Sequence, residues 1–172
     1  MGTGAVNQTT VSGVNITVQR PRFDDEFSDL AGLAYRVAYR IVGDRSAAED
    51  IAQESLARAY QRWTKIAEYR QAWVARVAGN LAIDQIRRRK PAATTPRPVD
   101  TEILVVERLD LQRALLDLPK GQRDAVVLRY IADLSEADVA VLLGCSPGTI
   151  KSHLNRGTTR LRLVLHDSTG GL

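Results

Sequence analysis

Apolar residues recur at three- and four-residue intervals along most of the chain, the spacing of helices that bury one face. The first such run starts near Phe23. Phe27, Leu30, Ala34, Val37, Ala38 and Ile41 mark its buried stripe, and Gly43 ends it. A second helix is predicted from about Ser46 to Arg62, opened by Ser46 and Glu49 as a capping box. A third covers about Tyr69 to Arg89 with Val74, Val77 and Leu81 inward, and Trp63-Thr64-Lys65-Ile66 joins the two. The segment PAATTPRPVD after Lys90 has three prolines, which forbid a helix and favour an extended linker. Periodicity resumes around Glu102, with Leu104, Leu111, Leu115 and Leu118. Pro119 interrupts it, and a further helix covers Gly121 to Ile131. No segment shows the alternation or hairpin turns of a sheet. Residues 1–21, rich in Gly, Thr, Asn and Val, read as a disordered or strand-like tail. The expectation is an all-α chain: two small helical domains, 22–90 and 107–167, on a flexible Pro-rich linker over 91–106, with a short tail at 168–172.

The stretch from Leu134 to Leu165 carries the sharpest local signals. Ser135 with Asp138 fixes a helix start, Gly144 supplies a left-handed stop, and Ser146 with Pro147 opens the next helix. On that second helix Ile150, Leu154, Leu161 and Leu165 share one face. Gly148, Thr149, Ser152, Asn155, Arg156 and Thr159 share the other, flanked by Lys151 and His153. Small, hydrogen-bonding and cationic groups without carboxylates suit phosphates and base edges. Two readings compete: a helix-turn-helix whose second helix enters a DNA groove, or an amphipathic helix with a solvated polar side.

Composition narrows the class. At 172 residues, 26% charged and 44% hydrophobic, the chain has an ordinary globular balance. Its net charge of +4 is modest, but the charge is unevenly placed. Arg87, Arg88, Arg89 and Lys90 form one basic cluster, and Lys151, Arg156, Arg160 and Arg162 form another. Two separated cationic sites point to an extended polyanion. Cys145 is the only cysteine and the two histidines lack a ligand spacing, so no metal or cofactor is expected. No apolar run reaches membrane length and no signal-peptide core opens the chain, which predicts a cytoplasmic protein without membrane insertion. No phosphate loop, HExxH or nucleophile elbow occurs, so no catalytic residue is proposed.

Two further patches have alternative readings. Asp50, Gln53 and Glu54 lie on one side of the second helix, as a solvated face or as a docking surface for a protein partner. Tyr69, Trp73, Arg76, Asn80, Ile83 and Arg87 form a stripe on the third helix. Aromatic, guanidinium and amide groups together suit unpaired bases, while Trp73 taken alone reads as core.

In their order, Gly43-Asp44 … Ala48-Glu49-Asp50-Ile51-Ala52-Gln53-Glu54, then Trp73-Val74 … Asn80 … Asp84 … Arg87-Arg88-Arg89, resemble the second domain of bacterial sigma factors. Leu118-Pro119 … Leu134-Ser135 … Gly144-Cys145-Ser146 … Thr149-Ile150-Lys151-Ser152-His153-Leu154-Asn155-Arg156-Gly157 resemble their fourth domain, and the short chain is similar to the extracytoplasmic-function (ECF) group. The resemblance implies a promoter-specificity subunit rather than an enzyme. Asp50, Gln53 and Glu54 would meet the beta-prime clamp helices of core RNA polymerase, and the fourth domain its beta flap. Trp63, Lys65, Trp73, Arg76, Asn80, Arg87, Arg88 and Arg89 would meet the minus-ten element and trap a flipped base. Ser146, Thr149, Lys151, Ser152, His153, Asn155 and Arg156 would read the minus-thirty-five element. Promoter DNA and an anti-sigma factor are the other implied partners. His153 stands where the family often has Arg, Gly157 where it usually has Ala, and Ser55 where it commonly has an apolar residue.

Two rivals remain at this point. A dimeric helix-turn-helix regulator would bind a palindrome without polymerase. A small recombinase or nuclease would need metal carboxylates in the first half of the chain.

Overall fold

The computed structural model describes the backbone at residues 7–11, 14–18, 22–88 and 102–169. Helix α1 (Phe23–Val42) begins with three carboxylates, Asp24, Asp25 and Glu26, at its positive end, and Gly43 closes it in a left-handed conformation (φ 69°). Its buried stripe is Leu30, Ala34, Val37, Ala38 and Ile41. Phe27, expected in that stripe, is 46% exposed instead. The reason is local: Phe27 meets Phe23 edge-on, and Phe23 also meets Tyr60 and Trp63, so the rings form a cluster at the rim of the core.

Helix α2 (Arg45–Gln61) starts one residue before the sequence reading placed it. Its cap is Asp44, whose carboxylate accepts from the Ala47 N–H at 2.8 Å, and not Ser46. Helix α3 (Arg70–Arg88) follows. It buries Val74, Ala75, Ala78, Ala82 and Ile86, while Val77 and Leu81 are half-buried. Small alanines let α1 and α3 approach closely, which rotates the buried face toward them. These three helices form the first domain.

The second domain comprises α4 (Glu102–Asp117), α5 (Lys120–Val126), a π-helical turn (Val127–Ile131), α6 (Glu136–Leu143) and α7 (Pro147–Thr169). Leu115, Leu118, Val126, Leu128, Val139, Ile150 and Leu154 are among its buried residues. Gly157 on α7 is buried against α5, and a Cβ there would lie 2.8 Å from Val126 Cγ2. The glycine thus trades helix propensity for close packing.

Both domains are helical, as expected, and the tail takes the strand-like of its two expected forms. Strands β1 (Asn7–Val11) and β2 (Val14–Val18) pair antiparallel, Val11 opposite Val14. What this corrects is the reading that no segment carries sheet alternation or a hairpin turn: Val14, Ile16 and Val18 alternate, and the Ser12-Gly13 dipeptide precedes them.

The domains also pack on each other. Gln112 Nε2 on α4 donates to the Ile41 and Val42 carbonyls, and Arg108 donates to that of Gly43, so α4 caps the end of α1. In return Arg40 donates to the Ile131 carbonyl and Arg76 to that of Leu142, both at 2.9 Å. Every acceptor sits at a helix C-terminal end, where carbonyls lack intrahelical partners. Between them Gly79 faces Val127, 2.9 Å from where its Cβ would lie. No helix among the described residues is long and apolar enough to cross a membrane.

Candidate nucleic-acid interface

The helix-turn-helix forms as the sequence dictates. Ser135 Oγ accepts from the Asp138 N–H and donates to its carboxylate at 2.6 Å, which starts α6. Gly144 ends α6 in the left-handed region (φ 65°), where a Cβ would be strained. Ser146 Oγ accepts from the Thr149 N–H at 3.1 Å and shares a 2.9 Å hydrogen bond with its hydroxyl, which starts α7. With Ile150 and Leu154 anchored in the core, Thr149, Lys151, Asn155 and Arg156 stand exposed on the opposite side and Ser152 is half-buried. Pro119, Gln122, Asn155, Arg156, Thr159 and Arg160 line an open groove of about 500 Å³ between α5 and α7. It carries two arginines and no carboxylate among these residues, so it favours an anion.

His153 is the exception on this face. It is half-buried, its ring lies 3.1 Å from where a Cβ of Gly121 would sit, and its Nδ1 is enclosed without a hydrogen-bond partner. The imidazole therefore packs the α5–α7 contact instead of presenting both nitrogens outward.

On α2, Asp50, Gln53 and Glu54 are all exposed on one side, and Glu54 is paired with Arg58 at 2.6 Å. Beside them Glu49 hydrogen-bonds Arg45 and holds its guanidinium above the ordinary arginine value. Behind this face Ser55 is buried, and its hydroxyl donates to the Ile51 carbonyl at 2.7 Å. That bond satisfies the polar atom internally, so serine fills a core position.

The third set divides. Lys65, Asn80, Arg87 and Arg88 are exposed, with Arg87 3.5 Å from Asp84. Trp63 and Trp73 are half-buried against the core. Arg76 is held by the Leu142 carbonyl, and Ile83, on the same predicted stripe, is buried at the contact with the second domain. Arg89 lies outside the described residues.

Arg70 was missed by the sequence reading. It is only 7% exposed, donates to Glu26 Oε1 at 2.8 Å, and lies 4.0 Å over the Trp63 ring. The signal was available: Arg70 precedes Val74 by four residues, so it is a cation on the inward stripe. Among the described residues, no group of three or more His, Cys, Asp or Glu side chains is placed to hold a metal.

Comparison with known proteins completes the picture. Residues 27–91 match Sigma-70 region 2, and residues 108–161 match Sigma-70, region 4. The chain is 31% identical over 169 residues to the ECF RNA polymerase sigma factor SigW of Bacillus subtilis, covering 83% of this chain and 90% of that one. It is 38% identical over 142 residues to the RNA polymerase sigma-E factor of Streptomyces coelicolor, covering 77% and 80%. In structure it is similar to the sigma factor RpoE of Bartonella quintana, solved in complex with the anti-sigma factor NepR, with a TM-score of 0.59, 25% identity, and coverage of 84% and 96%. Two ordered matches and relatives spanned over most of their length establish that the chain belongs to the ECF RNA polymerase sigma factors, non-enzymatic initiation factors that direct promoter-specific transcription through regions 2 and 4.

Proposed function

We propose that three surfaces divide the work of initiation. The α2 face with Asp50, Gln53 and Glu54 docks on the clamp helices of core polymerase. Carboxylates and an amide on one exposed side offer a basic helical partner charge complementarity and register. The connection 62–69 and the face of α3 take the minus-ten element as an unpaired strand. There Lys65, Asn80, Arg87 and Arg88 neutralise phosphate and read edges, and Trp63 with Trp73 bounds the base site. Helix α7 reads the minus-thirty-five element as duplex through Thr149, Ser152, Asn155 and Arg156, with Ser146 and Lys151 on phosphate. His153 serves the packing behind that face. Region 4 meets the beta flap, and, by likeness to the Bartonella quintana protein, an anti-sigma factor is a partner. The work is done where core polymerase is, in the cytoplasm.

The observation that carries this reading is the placement of unlike faces on separate domains: an exposed acidic and amide face on α2, and an exposed carboxylate-poor face on α7. One face suits a protein, the other DNA. Reversing the charge at Asp50 (Asp50→Lys) should lower the affinity of the full chain for core polymerase at least tenfold, measured by fluorescence anisotropy. Arg156→Ala should leave that affinity unchanged and weaken promoter binding by the holoenzyme. If Asp50→Lys bound core normally, the assignment of α2 would be wrong.

A further inference from the structure

We propose that Arg70 is a positioning residue for strand capture, one that sets the shape of the connection 62–69 from beneath. The inference rests on the proposed role of that connection at the minus-ten element.

The connection links α2 to α3 by successive tight turns, the Lys65 and Ile66 N–H groups donating to the Arg62 carbonyl and the Tyr69 N–H to that of Ile66. Ile66, 2% exposed, is its buried apolar anchor. Thr64, Lys65, Glu68 and Tyr69 are exposed, and Glu68, Tyr69 and Arg70 line an open groove of about 530 Å³ whose other wall is Leu134, Asp138 and Val141 of the second domain. Arg70 lies under both ends. Its own backbone begins α3, its guanidinium covers one face of Trp63 at the start of the connection, and its Nη1 is tied to Glu26 of α1. Phe23 meets the same indole nearly edge-on, at 5.1 Å and 84°. Cation and ring together fix which face of Trp63 is turned to the strand.

Stability alone does not account for an arginine here. Its Nε is enclosed with no hydrogen-bond partner, and a buried ion pair with an unmet donor is often matched or exceeded in stability by apolar residues of similar size. What apolar residues cannot supply is a planar cation that stacks on an indole while anchored by a hydrogen bond to a carboxylate on another helix. The arrangement holds Trp63 in one orientation, and pre-set geometry in a binding loop raises affinity for the captured strand by cutting the ordering cost.

The test uses holoenzyme assembled from core polymerase and the full chain, on a promoter recovered by run-off selection with the wild-type protein. The minus-ten non-template strand carries 2-aminopurine, whose fluorescence rises as a base unstacks. Core affinity and thermal midpoint are read in parallel. The paired apolar variant Glu26→Leu/Arg70→Met should keep its thermal midpoint and core affinity yet open the promoter about tenfold more slowly, the scale of a lost cation–ring contact plus loop ordering. Arg70→Lys, which keeps the charge beside Glu26 but not the planar stack, should slow opening by about fivefold. Wild-type opening rates in Arg70→Lys, or a loss of opening in the paired variant matched by an equal loss of core affinity, would overturn the inference. Should the wild-type chain recover no promoter at all, the failure belongs to the strand-capture role and not to Arg70.

Discussion

Arg156 and Lys151 stand exposed on the same helix, yet their chemistry predicts different losses. A guanidinium fork reads a base edge bidentately, whereas an ammonium acts as a point charge on phosphate. On the proposed reading, Arg156→Ala costs about 1–3 kcal/mol of holoenzyme binding and relaxes preference at one base pair. Lys151→Ala weakens all sequences alike and lowers the salt slope of log K by about 0.9. A salt titration on matched and mismatched promoter fragments separates the two. Equal loss on all fragments with Arg156→Ala would remove it from base reading. His153 shows where residue-level analogy stopped: its position on α7 suggested a DNA contact, but its ring occupies the space left by Gly121. Only the packing partner, 32 residues away in sequence, reveals this.

Local signals within the helices were legible, and long-range ones were not. Ser135, Gly144, Ser146 and Pro147 act within four residues of themselves, so the sequence alone placed the turn between α6 and α7. The start of α2 was misplaced because Asp44 and Ser46 are both good caps in sequence, and only backbone geometry decides between them. That choice is measurable. Asp44→Ala should cost about 1 kcal/mol in urea unfolding, and Ser46→Ala only a few tenths; the reverse order would restore the sequence reading. Gly157 gives a second element-scale prediction. Alanine there gains about 1 kcal/mol of helix propensity, but its Cβ would press on Val126 Cγ2 at 2.8 Å. Valine removes any doubt about sign: Gly157→Val should destabilise by about 1–3 kcal/mol through overpacking. An unchanged urea midpoint would mean that α5 and α7 are further apart than described. The N-terminal tail was legible as disordered or strand-like but not as a pair of strands, because one half, Asn7-Gln8-Thr9-Thr10, is short and polar, which masks its alternation.

At the scale of the whole molecule, the sequence led to two heads on a tether, while the structure joins them by mutual capping of helix ends. Periodicity reports which face of a helix is buried but not against which partner, so the Gln112, Arg108, Arg40 and Arg76 contacts could not be read from spacing. The joint has a narrow point at Gly79 and Val127. Gly79→Leu should push the domains apart, raising the radius of gyration in small-angle scattering while helical circular dichroism is retained. An unchanged radius would show that the joint absorbs the side chain. The same joint holds Arg76 on the Leu142 carbonyl, so the role at the minus-ten element that the family resemblance implies for Arg76 would require regions 2 and 4 to part.

The central claim is that this one chain converts core polymerase into a promoter-specific enzyme through regions 2 and 4. Run-off transcription with purified core on genomic fragments, with and without the protein, tests it directly. The account predicts discrete new transcripts that require the protein and vanish with Asp50→Lys. Specific transcripts that persist with Asp50→Lys, or none with the wild-type chain, would contradict it.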